Sequence, residues 1–171
     1  MKVRLSGLVV LTTMVGYTMA PGALQVSTLL WTTVGTALCV NAANTWNQWA
    51  EPPFDAQMKR TRVRPLVRGA VTPAHVAALG GVSAVAGVAM LDLMVNPLVA
   101  ALGASNIVLY AFIYTPLKRM SIVNTWVGAV VGAIPPMMGW AACTGQLEPG
   151  AWLLGAVLYA WQFPHFNALS W

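Results

Sequence analysis

Three polar residues near the end of a long apolar segment could together bind a metal ion. Asn47, Glu51 and Asp55 stand four residues apart, and residues at this spacing lie on one face of an α-helix. An amide and two carboxylates offer the oxygen ligands that Mg²⁺ prefers, together with waters and phosphate oxygens. The spacing therefore predicts a catalytic Mg²⁺ site. Pro52 and Pro53 disfavour a regular helix, so either the helix kinks and still presents the triplet or Asp55 lies in the following loop.

Basic side chains follow this triplet and recur shortly before residue 120. Arg and Lys are the usual partners of phosphate groups, so acids and bases at one membrane face suggest a ligand that is both metal-bound and multiply anionic, such as a diphosphate. The candidate diphosphate-binding residues are Lys59, Arg60, Arg64, Lys118 and Arg119. In a simpler interpretation, Glu51 and Asp55 pair with Lys59 or Arg60 at a solvated helix end.

A second candidate lies in the segment "YAWQFPHFNALSW", residues 159–171. His165 is a polar group within an apolar segment, and such groups in membrane helices are functional candidates. Taken alone, a single histidine is more often structural, but this segment is expected at the same membrane face as the triplet, which favours a catalytic role. Trp161, Phe163 and Phe166 could form pocket walls or an interfacial aromatic belt.

The composition indicates which elements must position these residues. Of the 171 residues, 58% are hydrophobic and 8% are charged, and the mean hydropathy of +0.68 lies outside the range of soluble domains. A membrane-spanning helix needs about 20 apolar residues. The uncharged stretches predict an all-α, polytopic membrane bundle with six spans, near residues 5–20, 28–50, 74–92, 97–116, 122–142 and 150–170.

The charges support this threading. With six spans, all nine basic residues fall on one membrane face, whereas Asp92 and Glu148 fall on the other, as the positive-inside rule requires. The net charge of +5 then follows from topology and does not indicate a nucleic-acid partner. Residues 1–22 also have the pattern of a secretory signal peptide. Removing them would leave five spans and spoil the charge arrangement, which favours a retained first helix.

Three blocks of sequence resemble the UbiA-type intramembrane prenyltransferases. The triplet resembles the first polar motif of that family, N-x-x-x-D-x-x-x-D. More narrowly, "NQWAEPPFDAQMKRTRVRPL", "YTPLKRMSIVNTWVGAVVGAIPPMMGW" and "WQFPHFNALSW" resemble the protohaem IX farnesyltransferase (haem O synthase) branch, in wording nearest to its mitochondrial members. The blocks occur in order over most of residues 38–171, so the resemblance is specific.

The resemblance implies a reaction and its substrates. Members of this branch transfer a farnesyl group from farnesyl diphosphate to a vinyl carbon of haem B, with Mg²⁺ as the cofactor and water completing the side chain of haem O. The product leads to haem A for terminal oxidases, so haem A synthase or oxidase assembly proteins are possible partners. The resemblance also implies the mitochondrial inner membrane, or a bacterial plasma membrane, with the active face towards the matrix or cytoplasm. His165 could place haem or transfer a proton.

Two departures from the family pattern leave alternatives open. Glu51 replaces the central Asp of the motif, and it is a longer carboxylate that can still bind Mg²⁺. The family fold has nine helices, so residues 1–171 are expected to form a single but incomplete prenyltransferase domain that lacks the last three. The chain could instead be another UbiA-type polyprenyl transferase or a non-catalytic fragment. A transporter is disfavoured because the charges stop at one face.

Overall fold

The computed structural model describes residues 3–59 and 61–170 of the chain. Lys2 and Arg60, which carry two of the predicted charges, lie outside the described residues. Throughout the described part, the regular elements are helical. They are α1 (Val3–Met19), α2 (Val26–Ala50), α3 (Pro52–Asp55), α4 (Pro73–Met94), α5 (Pro97–Val108), a π-helical segment (Leu109–Tyr114), α6 (Thr115–Leu117), α7 (Asn124–Thr144) and α8 (Pro149–Ser170).

Four stretches of helix are long and apolar enough to cross a membrane. They are Val26–Ala50, Pro73–Met94, Pro97–Leu117 and Asn124–Thr144. The apolar part of α1, Leu5–Met19, is shorter than these. Helix α8 has 22 residues, but Gln162, Pro164 and His165 interrupt its apolar character. The all-α membrane bundle is therefore confirmed, whereas the predicted count of six spans is confirmed only in part.

The bundle is built around α2 and α7. Helix α2 packs mainly on α4, and α7 packs on α1 and α8. Helices α1 and α7 approach closely because small residues meet at their crossing. A Cβ atom built on Gly139 would lie 1.9 Å from the carbonyl oxygen of Thr13, and one built on Gly16 would lie 2.1 Å from that of Pro136. Side chains of Leu91, Val99 and Met138 fill the core beside this crossing.

The long helix between residues 97 and 117 changes its hydrogen-bonding register before it ends. Residues Leu109–Tyr114 form a π-helical segment. Pro116 lacks the N–H that would continue the α-helical bonding, and the Thr115 hydroxyl donates a hydrogen bond to the Tyr110 carbonyl at 2.8 Å. Single π-helical turns of this kind are frequently found at functional sites. The widened turn carries Thr115 into the bundle, where it is buried.

The two ends of the bundle differ in what they hold. The start of α1 meets the end of α2, because the Asn44 amide donates a hydrogen bond to the Ser6 hydroxyl at 3.1 Å. The segments that follow α2 and α6 carry the basic residues at this end. At the far end of α7, the Trp140 indole N–H donates to the Glu148 carboxylate at 3.1 Å. Glu148 is thus separated from the triplet by the length of α7.

Candidate functional site

Asn47 is held inside the bundle at the last turn of α2. Its side chain is 1% exposed, and its amide nitrogen donates a hydrogen bond to the Thr115 hydroxyl at 3.0 Å. Thr115 in turn donates to the Tyr110 carbonyl. Because the amide nitrogen makes this contact, the amide oxygen is the atom of Asn47 that can accept a hydrogen bond or bind a cation.

Glu51 stands at the break between two helices. Helix α2 ends at Ala50, and Glu51 has φ −114° and ψ 15°, outside the α-helical region. Pro52 causes the break, since a proline disfavours helical geometry in the residue before it. The chain then makes one short turn, α3, and the Asp55 N–H donates to the Glu51 carbonyl at 2.9 Å. A regular helix through the triplet is therefore replaced by two helices with a kink at Glu51.

Asp55 is a buried carboxylate with a basic partner. It is 1% exposed and forms a salt bridge with the Arg64 guanidinium, whose side chain is 15% exposed. The Thr61 hydroxyl donates to the Asp55 carbonyl at 2.9 Å, which folds the following loop back over α3. A carboxylate at this depth is costly unless it is paired, and Arg64 provides the pair.

Lys118 brings a second basic group to the end of α2. Its ammonium lies 3.6 Å from the Glu51 carboxylate and 4.7 Å from the centre of the Tyr114 ring. Burial lowers the pKa of Lys118 below its ordinary value, while the carboxylates of Glu51 and Asp55 oppose this shift. Burial is the larger effect, so the pKa of Lys118 is lowered despite the two nearby acids.

The remaining predicted cations are less closely attached to the site. The Arg119 guanidinium lies over the Phe54 ring at 4.0 Å, which places it beside α3 but exposed. Lys59 is exposed as well. Arg60 lies outside the described residues. Among the described residues the acids therefore pair with Arg64 and Lys118, and the simpler interpretation of a pair with Lys59 is not what the structure shows.

His165 lies apart from the triplet in its contacts. Its imidazole stacks on the Trp161 ring, with centroids 4.8 Å apart and an interplanar angle of 15°, and both residues are exposed. Within the described part of the chain, no hydrogen bond or salt bridge joins His165 to Asn47, Glu51 or Asp55. The neighbouring Phe166 ring reaches α7 near Gly128. The end of α8 therefore lies at the basic end of the bundle, but the catalytic role of His165 stays a prediction.

The donor set at the triplet fits a magnesium ion that shares its ligands with a substrate. Magnesium in phosphate sites commonly takes one or two carboxylates and fills its other positions with waters and phosphate oxygens. Glu51 and Asp55 are the two carboxylates, and Asn47 adds an amide oxygen. No cluster of three or more His, Cys, Asp or Glu residues occurs among the described residues, so a cage built from protein ligands is not formed there.

Sequence reasoning missed the residues that support the triplet from the π-helical segment. Thr115 hydrogen-bonds Asn47, and the ring of Tyr114 faces Lys118. The available signal was a hydroxyl residue directly before a proline within an apolar span, "YTPLK", where a broken helix leaves backbone groups to satisfy. That pattern indicates a local break but does not indicate which distant side chain it supports.

Comparison with known proteins identifies the family. The model of the UbiA prenyltransferase family matches residues 9–171. The chain belongs to this family. Its fold agrees with that of a solved UbiA homolog from Aeropyrum pernix K1, determined in the apo state, with a TM-score of 0.78 over 93% of this chain and 60% of that chain, at 20% sequence identity.

Several curated relatives of this UbiA chain are named protoheme IX farnesyltransferase, mitochondrial. The human relative is 59% identical over 170 residues, which cover 99% of this chain and 38% of the relative. The Yarrowia lipolytica relative is also 59% identical, over 36% of its length, and that of Saccharomyces cerevisiae is 51% identical, over 37%. The chain thus spans well under half the length of the curated relatives that it matches.

Proposed function

We propose that this chain takes part in transferring a farnesyl group from farnesyl diphosphate to haem B, which yields haem O. The observation that carries the proposal is the meeting of Glu51 with Lys118 and of Asp55 with Arg64 at the end of an apolar bundle. Two carboxylates that can bind a metal ion, beside two cations that can bind phosphate oxygens, suit a metal-bound diphosphate. The names of the relatives supply the farnesyl group and the haem acceptor.

The diphosphate would lie against the polar end of α2. We assign Asn47, Glu51 and Asp55 to Mg²⁺, which when bound neutralises the charge that develops on the leaving group. Arg64 and Lys118 would contact the phosphate oxygens, and their present contacts with the two acids hold them ready in position. Preorganised charges of this kind stabilise a transition state without further rearrangement.

The bonds change in a simple order. The C1–O bond of farnesyl diphosphate breaks, and its electron pair leaves with diphosphate. The π electrons of a haem vinyl group form the new carbon–carbon bond to C1, which leaves a cation on the inner vinyl carbon. Water adds to that cation and releases a proton. Aromatic side chains such as Tyr110 and Tyr114 would shield the allylic cation until the vinyl group reacts.

The outer residues receive supporting roles. We propose that Lys59, Arg60 and Arg119 attract the diphosphate to the basic end, where Arg119 already lies beside α3. We propose that His165 places the haem or transfers a proton, with Trp161 fixing the plane of its ring. Exchanging His165 for Phe keeps a ring that can stack and removes both nitrogens. A loss of haem O in this variant, with the protein still inserted, would support the role, and full activity would exclude it.

The proposed setting is the mitochondrial inner membrane, by likeness to relatives whose names include that compartment. Residues 1–171 would then form part of one prenyltransferase domain, with the site facing the matrix. Haem O would pass on towards haem A for a terminal oxidase, so haem A synthase and oxidase assembly proteins are the proposed partners.

A reconstituted reaction tests the proposal. The purified chain would be assayed in detergent, alone and joined to the segments of the human relative outside the matched region. Haem B, farnesyl diphosphate and Mg²⁺ would be added, and haem O and free diphosphate would be measured. We expect haem O to form and EDTA to stop its formation. Prenylation of another acceptor but not of haem B would point to a different UbiA-type transferase, and no transfer in either form would contradict the proposal.

A further inference from the structure

Several basic side chains at the polar end of the bundle have no acidic partner within the described part of the chain. Only four acidic residues occur among the 171, and the two at this end already pair with Arg64 and Lys118. Lys59, Arg62 and Arg68 are exposed, and none of the three forms a salt bridge with a described residue. The proposed prenyl transfer gives no role to Arg62 or Arg68.

The loop that carries these two arginines is folded into successive turns. It comprises residues 56–72, of which all but position 60 are described. The Arg62 N–H donates a hydrogen bond to the Met58 carbonyl at 3.0 Å, and the Arg68 N–H donates to the Arg64 carbonyl at 3.0 Å. The bond from the Thr61 hydroxyl ties the same loop to α3. The backbone therefore holds the exposed side chains of this loop in an organised surface.

Large apolar side chains are exposed beside these cations. Val63 lies directly after Arg62 and is 63% exposed. In the second loop, residues 118–123, Met120 and Ile122 are 80% and 86% exposed. The two loops lie beyond the ends of the apolar helices, so contact with hydrocarbon at the sides of the bundle does not account for this exposure. Apolar residues exposed together in this way commonly mark an interaction site.

The position of the loops favours the lipid headgroup layer as the partner. The first loop joins the end of α2 to the start of α4, and both helices are long and apolar enough to cross a membrane. Segments at this level bind a bilayer when apolar side chains enter the boundary of headgroups and acyl chains while cations attract anionic lipids. The positive-inside rule requires the charges but not the exposed apolar residues beside them.

We propose that these two loops dock on the anionic phospholipid headgroups of the leaflet that surrounds them. Arginine is suited to this contact because its planar guanidinium can bind a phosphate group through two hydrogen bonds. The docked loop is also the one that brings Arg64 to Asp55. The side chains that form the docking surface are Arg62, Val63, Arg68, Met120 and Ile122.

The lipid preference of the purified chain tests the role of the charges. The chain, alone and joined to the outer segments of the human relative, would be placed in micelles with equal amounts of phosphatidylglycerol and phosphatidylcholine. Bound lipids would be counted by native mass spectrometry. We expect more phosphatidylglycerol on the parent. The double variant Arg62→Gln with Arg68→Gln should lower the ratio of the two lipids about tenfold, since each cation near an anionic surface contributes about fivefold before screening. Arg62→Lys with Arg68→Lys is the matched control and should keep the preference.

The depth of the loop tests the role of the apolar residues. A nitroxide would be attached at Val63→Cys in a Cys143→Ser background, and its accessibility to oxygen and to a water-soluble nickel chelate would be measured by electron paramagnetic resonance. Adding phosphatidylglycerol to phosphatidylcholine vesicles should raise oxygen accessibility and lower nickel accessibility at this position. Gln146→Cys is the control, because Gln146 is exposed in the turn at the far end, which has no basic residue, and its values should not change.

Each alternative partner gives a different result. Equal lipid ratios in the parent and in the double Gln variant, or equal accessibility at position 63 in both kinds of vesicle, would overturn the proposal. Inorganic phosphate that displaces the phosphatidylglycerol as well as added lipid does would indicate a site for a free anion instead. A preference present in the chain alone but lost in the joined form would mean that protein, and not lipid, covers this surface.

Discussion

The ammonium of Lys118 lies 3.6 Å from the carboxylate of Glu51. This contact joins the segment after the π-helical turn to the end of α2, and it occurs beside the buried pair of Asp55 and Arg64. Two acids and two bases from three separate parts of the chain therefore meet at one end of the bundle. The arrangement pairs each acid with a base.

Exchange of Asp55 for Asn should lower prenyl transfer by about 100-fold or more, because it removes a charged group that acts on the leaving diphosphate. The cost in stability should be about 1–3 kcal/mol, since Arg64 loses its buried partner. Activity would be measured as haem O formed, and stability by thermal unfolding in detergent. Asp92→Asn, an exposed acid at the far end, is the control and should change neither.

A charge swap separates the two roles of Asp55. The double variant Asp55→Arg with Arg64→Asp can re-form a salt bridge, so it should recover part of the lost stability. It should stay inactive, because position 55 no longer carries a carboxylate for the metal. Recovery of activity in the swapped variant would mean that Asp55 serves only to hold the loop.

Activity should fall on the alkaline side at a pH set by Lys118. Burial lowers the pKa of this group, so it loses its charge below the ordinary value of about 10.4. The folded state then releases its proton at a lower pH than the unfolded state does. By linkage, the free energy of unfolding therefore rises with pH between the two pKa values. Lys118→Arg, which stays charged, should extend activity to higher pH. An unchanged profile would exclude Lys118 as the group that titrates.

Packing of α1 on α7 should be sensitive to added methyl groups. Gly139→Ala places a Cβ 1.9 Å from a backbone oxygen, which cannot move like a flexible side chain, so the free energy of unfolding should fall by about 1–3 kcal/mol. Gly7→Ala is the matched control in α1, with nothing within 4 Å of the new atom. Equal thermal midpoints for both variants would contradict the close crossing.

The bond between Asn47 and Thr115 should contribute modestly to stability, whereas the amide group of Asn47 itself should contribute strongly to activity. Single and double exchanges, Asn47→Ala and Thr115→Val, should give a coupling free energy of about 0.6 kcal/mol and no more than about 1.7, as for other bonds inside membranes. If Asn47 also binds the metal, Asn47→Ala should reduce haem O formation far more than Thr115→Val. Similar losses in both would assign Asn47 a positioning role alone.

The sequence predicted the helical membrane bundle because charge-free stretches of the necessary length leave few alternatives. It also predicted a site at Asn47, Glu51 and Asp55, since these residues follow helical spacing within otherwise apolar surroundings, and that role stays a prediction. Pro52 and Pro53 predicted an interruption of the helix, but local sequence rules could not decide between a kink and a loop. In the structure α2 ends at Ala50 and the short helix α3 begins at Pro52. Thr61 and Arg64, from the loop that follows, both contact Asp55.

The pairing of charges could not be predicted, because it depends on contacts between distant segments. Lys59 and Arg60 are nearest to Asp55 in sequence, yet Arg64 is its partner in the structure. Lys118 was expected at the same membrane face, but its contact with Glu51 joins two segments that are far apart in the sequence. The span count was predicted only in part, since α8 mixes polar residues and a proline into its apolar sequence.

We propose that the triplet at the end of α2 serves transfer of a farnesyl group to haem B. The most direct measurement uses cells that lack haem O synthase and receive the chain joined to the outer segments of the human relative, as the parent, Asp55→Asn or Asp92→Asn. Extracted haems would be separated by chromatography. We predict haem O in the parent and in Asp92→Asn, and none in Asp55→Asn. Absence of haem O from a membrane-inserted parent, or equal amounts in all three, would contradict the claim.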